Sequence, residues 1–144
     1  MNYVFIHIDC DSQCFLIKLD DKSYYINTEK KNYKEAEADC ISKGAKLFEP
    51  KNAKQNNFVA DHAKKKGLSA GFWIGVHDRK GNEGHFVYES DNNPIVWKNW
   101  LPGQPNNKYN KCHGDEDCVE VKTYPKGKWS DQCCGKRKYY VCEK

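Results

Sequence analysis

Eight cysteines in a chain of 144 residues constrain this protein more than any other feature of its sequence. None of them forms the Cys-x-x-Cys pair that is typical of zinc sites, so disulfide bonds are the better explanation. Disulfides persist in oxidising compartments, and we therefore predict a secreted, extracellular protein. The apolar run at residues 3–8 contains His7 and is too short for a signal-peptide core or a membrane span, so no membrane insertion is expected.

The length indicates one domain, residues 1–144, with enough chain for a hydrophobic core. The net charge of +4 comes from 24 basic and 20 acidic residues, a balance too mild to indicate nucleic-acid binding. Lysines cluster at residues 64–66 and 136–138 and near the acidic residues 115–117. A solvated surface is the simpler interpretation of each cluster. The alternative is an anionic ligand such as a sulfated or sialylated glycan.

Two capping patterns predict two helices. Asn32 is followed three residues later by Glu35, and Asn52 by Gln55, a spacing at which the two side chains satisfy free backbone N–H groups. The glycines expected to end these helices in the left-handed conformation are Gly44 and Gly67. The predicted buried faces are Tyr33, Ala36, Cys40 and Ile41 in the first helix and Val59, His62 and Ala63 in the second.

Short β-rich runs make up the rest of the chain. The strands predicted from these runs are residues 15–19, 23–27, 72–76, 85–88, 95–97, 118–122, 128–130 and 138–142. Residues 91–111 contain three prolines and six asparagines, which favours turns over regular structure. An irregular segment of this length in a compact domain usually carries function.

Residues 103–134 concentrate the oxygen ligands that a hard cation prefers. Gln104 and Asn106 flank Pro105, an acidic run occupies residues 115–117, and Asp131 follows Trp129 and Ser130 in a short polar turn. Amide carbonyls and carboxylates are the usual ligands of calcium in proteins. Proline restricts the backbone between the two amides, which helps if both side chains must point at one ion. We therefore predict a calcium site whose outer face binds a polar ligand.

Four short motifs in a fixed order resemble a C-type lectin domain. They are Phe-Trp-Ile-Gly-Val at 72–76, Gln-Pro-Asn at 104–106, Gly-Asp-Glu-Asp-Cys at 114–118 and Trp-Ser-Asp at 129–131. The resemblance covers about residues 23–142. It implies an α+β fold of two helices packed on two small antiparallel sheets, with a long calcium-binding loop. It also implies disulfides between Cys40 and Cys142 and between Cys118 and Cys134.

The four remaining cysteines are Cys10, Cys14, Cys112 and Cys133. Longer members of the family carry an N-terminal hairpin bridge, but Ser23 stands where its second cysteine is expected. The simplest pairing joins Cys10 to Cys14 and Cys112 to Cys133, which would fix the long loop. A bond between two chains through Cys10 or Cys14, giving a dimer, is the alternative.

Carried over residue by residue, the resemblance implies a sugar-binding calcium ion. Its ligands would be Gln104, Asn106, Glu116, Ser130 and Asp131. Ser130 replaces the asparagine that the family commonly has, and the site holds two carboxylates, so calcium affinity should lie near 10⁻⁴ to 10⁻³ M, roughly the weak extracellular range. A second, auxiliary calcium would be held by Asp78, Glu83, Asn107 and Asp117, with Glu116 shared.

The predicted ligand is a glycan whose neighbouring hydroxyls coordinate the calcium ion. In the family, Glu-Pro-Asn accompanies mannose-like sugars and Gln-Pro-Asp galactose-like sugars, and Gln-Pro-Asn is neither. Tyr109 could stack on the apolar face of a galactose ring, with His113 as a neighbouring hydrogen-bonding group. The alternative is that Tyr109 packs within its own loop. We expect galactose or N-acetylgalactosamine with relaxed specificity, and mannose-type binding is the alternative.

An enzyme is not expected, because the histidines are scattered and no serine or cysteine lies in a nucleophile setting. Asp115 and Glu116 are adjacent in sequence and so do not resemble the separated carboxylates of a glycosidase. The rival hypothesis is a lectin-like domain that binds protein or ice instead of sugar. The expected partners are glycans on cell or microbial surfaces. A homodimer or larger oligomer would supply avidity for agglutination or innate immune recognition.

Overall fold

The computed structural model describes residues 12–78, 84–106 and 117–144. The helices are α1 (Tyr33–Ser42) and α2 (Ala53–Lys65). The strands are β1 (Cys14–Leu19), β2 (Lys22–Lys31), β3 (Lys46–Leu47), β4 (Phe72–His77), β5 (Val87–Tyr88), β6 (Asp117–Thr123), β7 (Lys126–Cys133) and β8 (Lys138–Glu143). The predicted α+β class is confirmed. No helix in the described part of the chain is long and apolar enough to cross a membrane.

The described strands form one connected sheet, where two small antiparallel sheets were predicted. The strand order is β1-β2-β8-β4-β6-β7, with β3 on β8 and β5 on β4. Every pair is antiparallel except β4 with β8, which are parallel and joined through Phe72 opposite Tyr139 and Trp73 opposite Tyr140. This short parallel contact links strands far apart in sequence, so no local pattern could have indicated it.

The helix starts follow the predicted capping chemistry, completely at α1 and partly at α2. The Asn32 side chain accepts a hydrogen bond from the Glu35 N–H, and the Glu35 carboxylate accepts one from the Asn32 N–H. Asn52 likewise caps α2 by accepting from the Gln55 N–H. The Gln55 side chain instead accepts from the N–H of Lys51, one residue before the cap. Both glycines predicted to end the helices, Gly44 and Gly67, have positive φ.

The buried face of α1 is narrower than predicted. Tyr33, Ala36 and Cys40 are buried, but Ile41 is 59% exposed, so its prediction as a core residue is wrong. Successive helical residues differ by about 100° around the axis, which turns Ile41 away from the face centred on Cys40. In α2 the predicted core residues Val59, His62 and Ala63 are all buried.

Two disulfides hold the fold together where the resemblance implied them. Cys40 bonds Cys142 across 102 residues and ties α1 to β8. Cys118 bonds Cys134 and ties β6 to the residue after β7. Cys14 and Cys133 are also disulfide-bonded, and their predicted partners Cys10 and Cys112 lie outside the described residues. Cys14 is fully buried, which favours a bridge within the chain.

The segment between β5 and residue 104 is irregular but well anchored. Residues 95–97, predicted as a strand, form no strand, so that prediction is wrong. Pro94 makes an isolated bridge to Val87, and Trp100 makes one to Trp129 in β7. Single hydrogen bonds fix the backbone here, such as Leu101 N to Trp129 O at 2.8 Å. The segment therefore runs beside β7 and brings the Gln-Pro-Asn motif to that strand.

Candidate functional site

The Gln-Pro-Asn motif contains a buried oxygen atom suited to a ligand. The Gln104 N–H donates to Leu101 O at 2.8 Å, and the Gln104–Pro105 peptide is cis. The Gln104 side-chain oxygen, Oε1, is buried and accepts no hydrogen bond among the described residues. A buried carbonyl oxygen without a partner costs about 1–3 kcal/mol. A cation bound at this oxygen would remove that cost, so Gln104 fits its predicted role as a metal ligand.

Asp131 lies directly against this motif. Its side chain is 7% exposed, and its Oδ1 atom accepts a hydrogen bond from the Asn106 N–H at 3.1 Å. Asp131 is in β7, two residues beyond Trp129, which pairs with the segment that leads to the motif. The described structure thus brings a carboxylate to the backbone of Asn106, two residues from Gln104. We call Gln104, Asn106 and Asp131 the loop site.

Ser130 is buried in a different set of contacts. Its hydroxyl donates to Oε2 of Glu120 at 2.9 Å and accepts from Nε2 of Gln132 at 3.2 Å. Glu120 is 1% exposed and forms ion pairs with Lys122 at 3.2 Å and Lys138 at 3.0 Å. A hydroxyl oxygen accepts two hydrogen bonds, so Ser130 has one acceptor position left for a metal or a sugar. Its role as a ligand stays a prediction.

Sequence reasoning missed Glu120. The signal was an acidic residue inside a strand otherwise predicted to be buried, at residues 118–122. Its importance depends on Lys138, which is distant in sequence and adjacent only because β4 pairs with both β6 and β8. The Glu120 carboxylate accepts the hydrogen bond that the Ser130 hydroxyl donates, so Ser130 can act only as an acceptor toward anything else that it binds.

Two of the residues predicted for the auxiliary site lie close together. Asp78 and Asp117 are both buried. The Asp117 N–H donates to Oδ1 of Asp78 at 3.3 Å, and the Asp78 N–H donates to Asp117 O at 3.2 Å. The Gly84 N–H donates to the other oxygen of Asp78, Oδ2, at 3.0 Å. Asp78 therefore joins β4 and β6 at this position, and its role as a calcium ligand stays a prediction.

The other predicted site residues lie outside the described residues. They are Glu116, Tyr109 and His113 of the sugar site, Glu83 and Asn107 of the auxiliary site, and Cys10 and Cys112 of the disulfides. Within the described ranges, no three His, Cys, Asp or Glu side chains are grouped as a metal site. The predicted sugar-binding calcium site has only one carboxylate in those ranges, Asp131, together with amide and hydroxyl oxygens.

Two buried acids elsewhere in the molecule show a contrasting arrangement. Glu49 is 2% exposed and pairs with Lys46 at 3.2 Å and with the N–H and hydroxyl of Ser90 at 2.9 and 3.0 Å. Glu143 is 3% exposed, pairs with Lys22 at 2.8 Å and accepts from the Glu49 N–H at 2.7 Å. Burial acts to lower the pKa of Lys46, but the Glu49 carboxylate together with other nearby acids outweighs it and raises that pKa. We call these five residues the anchored cluster.

An apolar groove begins at Pro105, beside the loop site. Its volume is about 430 Å³, and its walls include Phe86, Ile95, Val96, Trp97, Trp100 and Pro105. No sequence pattern predicted this groove. The sequence feature that could have indicated it is the aromatic content of residues 86–100, which is high for an irregular segment.

Comparison with known proteins identifies the relatives of this chain. Residues 29–144 match the family model described as "Lectin C-type domain". Collectin-11 of Danio rerio is 40% identical over 124 residues, 86% of this chain and 43% of that protein. A tetranectin-like protein of Carcharhinus perezii is 36% identical over 127 residues, 88% of this chain and 72% of that protein. The chain thus spans less than half the length of its collectin relative. These lectin-family relatives confirm that the chain is not an enzyme.

Solved structures confirm the fold. The mouse scavenger receptor C-type lectin carbohydrate-recognition domain superimposes with a TM-score of 0.77 at 27% identity, covering 94% of this chain and 95% of that one. The cow CD23 carbohydrate-recognition domain, determined in the presence of a GlcNAc2Man3 oligosaccharide, has a TM-score of 0.75 at 29% identity, with the same coverage.

Proposed function

Because the chain belongs to the C-type lectin domain family, we propose that it is a calcium-dependent, carbohydrate-binding lectin. The residues that would hold the ion are Gln104, Asn106, Glu116, Ser130 and Asp131. The observation that carries the proposal is the buried Oε1 atom of Gln104, which accepts no hydrogen bond among the described residues. Bound calcium would supply coordination positions for two neighbouring sugar hydroxyls, and C-type lectin domains commonly depend on that ion.

The chain's own side chains orient the sugar by hydrogen bonding. Gln104 and Asn106 each use a carbonyl oxygen on the ion, which leaves their NH₂ groups as donors. The Ser130 hydroxyl donates its hydrogen bond to Glu120 at 2.9 Å, so it can only accept from the sugar, and its contact with the ion would replace the hydrogen bond from Gln132. Glu116, as a carboxylate, is the second acceptor. Each of the two sugar hydroxyls therefore meets one donor and one acceptor, a pattern that requires Gln104 and Ser130 together.

The proposed sugar is galactose or N-acetylgalactosamine, bound with relaxed specificity. Tyr109 and His113 support this proposal by residue type, through stacking on the apolar sugar face and an added hydrogen bond. Mannose-type sugars are the second candidate. The structural similarity to cow CD23, determined in the presence of an oligosaccharide that contains mannose, is the reason to test them.

An auxiliary calcium at Asp78, Glu83, Asn107 and Asp117 is a further part of the proposal. The support for it is that Asp78 and Asp117 are buried side by side. Both oxygens of Asp78 already accept backbone N–H groups, so this carboxylate positions the chain after β4 with or without an ion.

The proposed setting is extracellular, with glycans on cell or microbial surfaces as partners. The collectin relatives support this setting. A homodimer or larger oligomer would raise avidity, because a single shallow site binds weakly. The Kupffer cell receptor Clec4f, 28% identical with a TM-score of 0.73, is described as trimeric, which supports oligomerisation as an arrangement for this chain.

Affinity chromatography tests the proposal. The protein should be retained on immobilised galactose in calcium and eluted by EDTA, with immobilised mannose run in parallel. Glu116→Gln and Asp131→Asn should each weaken retention at least about 100-fold, since loss of a ligand exceeds the 10–100-fold cost of altering an outer partner. Asp61→Asn, the same change on the surface of α2, is the matched control and should bind like the parent.

The outcomes separate the candidate functions. Retention that persists in EDTA would contradict the calcium mechanism. A folded protein that binds neither sugar in saturating calcium would favour the lectin-like domain that recognises protein or ice. Retention should also decline on acidification, because the carboxylates must be ionised to hold the ion.

A further inference from the structure

The apolar groove at Pro105 has the position of a second binding site. Pro105 is both a wall of the groove and the residue between the two amides of the loop site. The groove therefore adjoins the loop site at Pro105, so one glycan can contact both. The volume of about 430 Å³ lies within the range of small-ligand sites.

The walls of the groove are held in place by contacts within the protein. The Val96 N–H donates to the Tyr88 hydroxyl oxygen at 2.9 Å, and the Ile95 N–H donates to Phe86 O at 3.3 Å. The Trp100 ring packs edge-on against Phe86 with ring centroids 4.9 Å apart. The backbone that carries these side chains is therefore ordered before binding, which lowers the entropic cost of complex formation.

The two tryptophans of the groove, Trp97 and Trp100, pack against a residue of β7. Trp97 and Trp100 each contact the fully buried Trp129 edge-on, with centroids 5.7 and 5.5 Å apart. Trp129 in turn donates its indole N–H to Asn56 in α2 at 2.9 Å. Both groove tryptophans are only partly buried, so each keeps some ring surface for a ligand.

One lysine gives the groove a charge preference. Among the described residues that line it, Lys98 alone carries a permanent charge, and it has no ion-pair partner within the described part of the chain. Val96, beside it, is 74% exposed. A purely apolar ligand would make no favourable electrostatic contact with the Lys98 ammonium group. A sugar ring with an anionic substituent uses both features, through its C–H face on the aromatic rings and its charge at Lys98.

We propose that the groove binds a sugar residue carrying a fixed negative charge, as sulfate or carboxylate, that adjoins the residue held at the loop site. This inference rests on the proposed function, because both sugars belong to one glycan. The loop site then selects a neutral sugar by its hydroxyls, and the groove selects among glycans by the charge of the next residue.

The test compares matched neutral and anionic glycans by calorimetry in calcium. The galactose series is N-acetyllactosamine, the same disaccharide sulfated on its N-acetylglucosamine, and the same disaccharide sialylated on the primary hydroxyl of its galactose. Both modifications leave neighbouring galactose hydroxyls free. The mannose series is mannobiose with and without a sulfate on its reducing sugar. The series whose neutral member binds is the one compared, and the two anionic arms distinguish sulfate from carboxylate.

At least one anionic glycan should bind the parent about fivefold more tightly than its neutral counterpart, as expected for a partly exposed ion pair. Lys98→Gln should abolish that difference and leave neutral binding unchanged. Lys64→Gln, an exposed lysine on α2, should keep the difference. The preference should also shrink in high salt.

Equal binding of neutral and anionic glycans by the parent would overturn the proposal. So would a Lys98→Gln variant that keeps the preference or loses neutral and anionic binding alike. If no neutral glycan in either series binds in calcium, the proposed function fails and this inference fails with it. That result is distinct from neutral binding without a charge preference, which refutes the groove alone.

Discussion

The anchored cluster and the loop site both bury polar oxygen atoms, but they satisfy them differently. In the anchored cluster, the Glu49 and Glu143 carboxylates meet lysines, a hydroxyl and backbone N–H groups between 2.7 and 3.2 Å. In the loop site, the Gln104 Oε1 atom is buried and accepts no hydrogen bond among the described residues. Comparable burial thus serves two purposes in one small domain.

The difference separates residues that stabilise the fold from residues that bind a ligand. A buried carboxylate with complete partners adds little net stability, but loss of one partner exposes the desolvation cost of the others. A buried oxygen without a partner lowers stability until a ligand arrives. Changes in the anchored cluster should therefore reduce stability without changing sugar binding. Changes in the loop site should reduce sugar binding and, in the absence of calcium, leave stability nearly unchanged.

The largest effect on stability is expected from the Cys40–Cys142 bridge. Replacing both cysteines by serine removes a crosslink across 102 residues and should lower the free energy of unfolding by about 4–5 kcal/mol. Urea denaturation measures the change. Sugar affinity under conditions where the variant is folded should match the parent. A loss below about 1 kcal/mol would show that packing, and not the bridge, holds this part of the molecule.

Glu49→Gln should lower the free energy of unfolding by about 2–3 kcal/mol, because it leaves Lys46 and the partly buried Ser90 contacts with a neutral partner. Calcium-dependent retention on sugar should not change. Asp131→Asn is the reciprocal variant, and in EDTA its stability should lie within about 1 kcal/mol of the parent. If Glu49→Gln abolished sugar binding while the protein stayed folded, the two regions would not be independent.

Calcium itself should stabilise the parent by about 1.4–2.7 kcal/mol at 10 mM, from the expected dissociation constant of roughly 10⁻³ to 10⁻⁴ M. Denaturation with and without the ion measures this gain. Asp131→Asn should lose the share due to the loop site, whereas Glu49→Gln should keep the full gain from its lower baseline. An equal calcium effect in the parent and Asp131→Asn would place the ion elsewhere.

The smallest effect concerns Asp39 on α1. Burial acts to raise the pKa of Asp39, but hydrogen bonds from Tyr140 and Lys43 outweigh it and hold that pKa below its usual value. The group therefore contributes stability above its unfolded-state pKa of about 3.9 and loses it as the pH falls through the folded-state pKa. Denaturation at several pH values should show that Asp39→Asn has a lower free energy of unfolding than the parent at neutral pH. This difference in free energy should shrink as the pH falls. A difference independent of pH would contradict this assignment.

Local sequence patterns were sufficient to predict both helices. The Asn32 capping box predicted the start of α1, because its hydrogen bonds span only three residues. The Gln-Pro-Asn motif indicated calcium ligands because amide oxygens beside a proline are distinctive in type and spacing. The resemblance to C-type lectin domains added both described disulfide pairings, which no local pattern determines.

Features that depend on packing between distant residues could not be predicted from local sequence patterns. Ile41 was misassigned because the width of a helix's buried face depends on what packs against it. Residues 95–97 have strand-like composition, but their backbone hydrogen bonds go to separate partners and form no ladder. The fixation of Ser130 by Glu120 depends on the pairing of β6 with β7. Each of these features is set by tertiary packing.

A glycan array probed in saturating calcium and again in EDTA, with the parent and Asp131→Asn side by side, tests the central claim most directly. We predict that the parent binds galactose-type glycans, or mannose-type glycans as the second candidate, in calcium only, and that Asp131→Asn binds none in either condition. Binding that survives EDTA, or an Asp131→Asn variant that binds like the parent, would contradict a calcium-dependent sugar site at Gln104, Asn106 and Asp131.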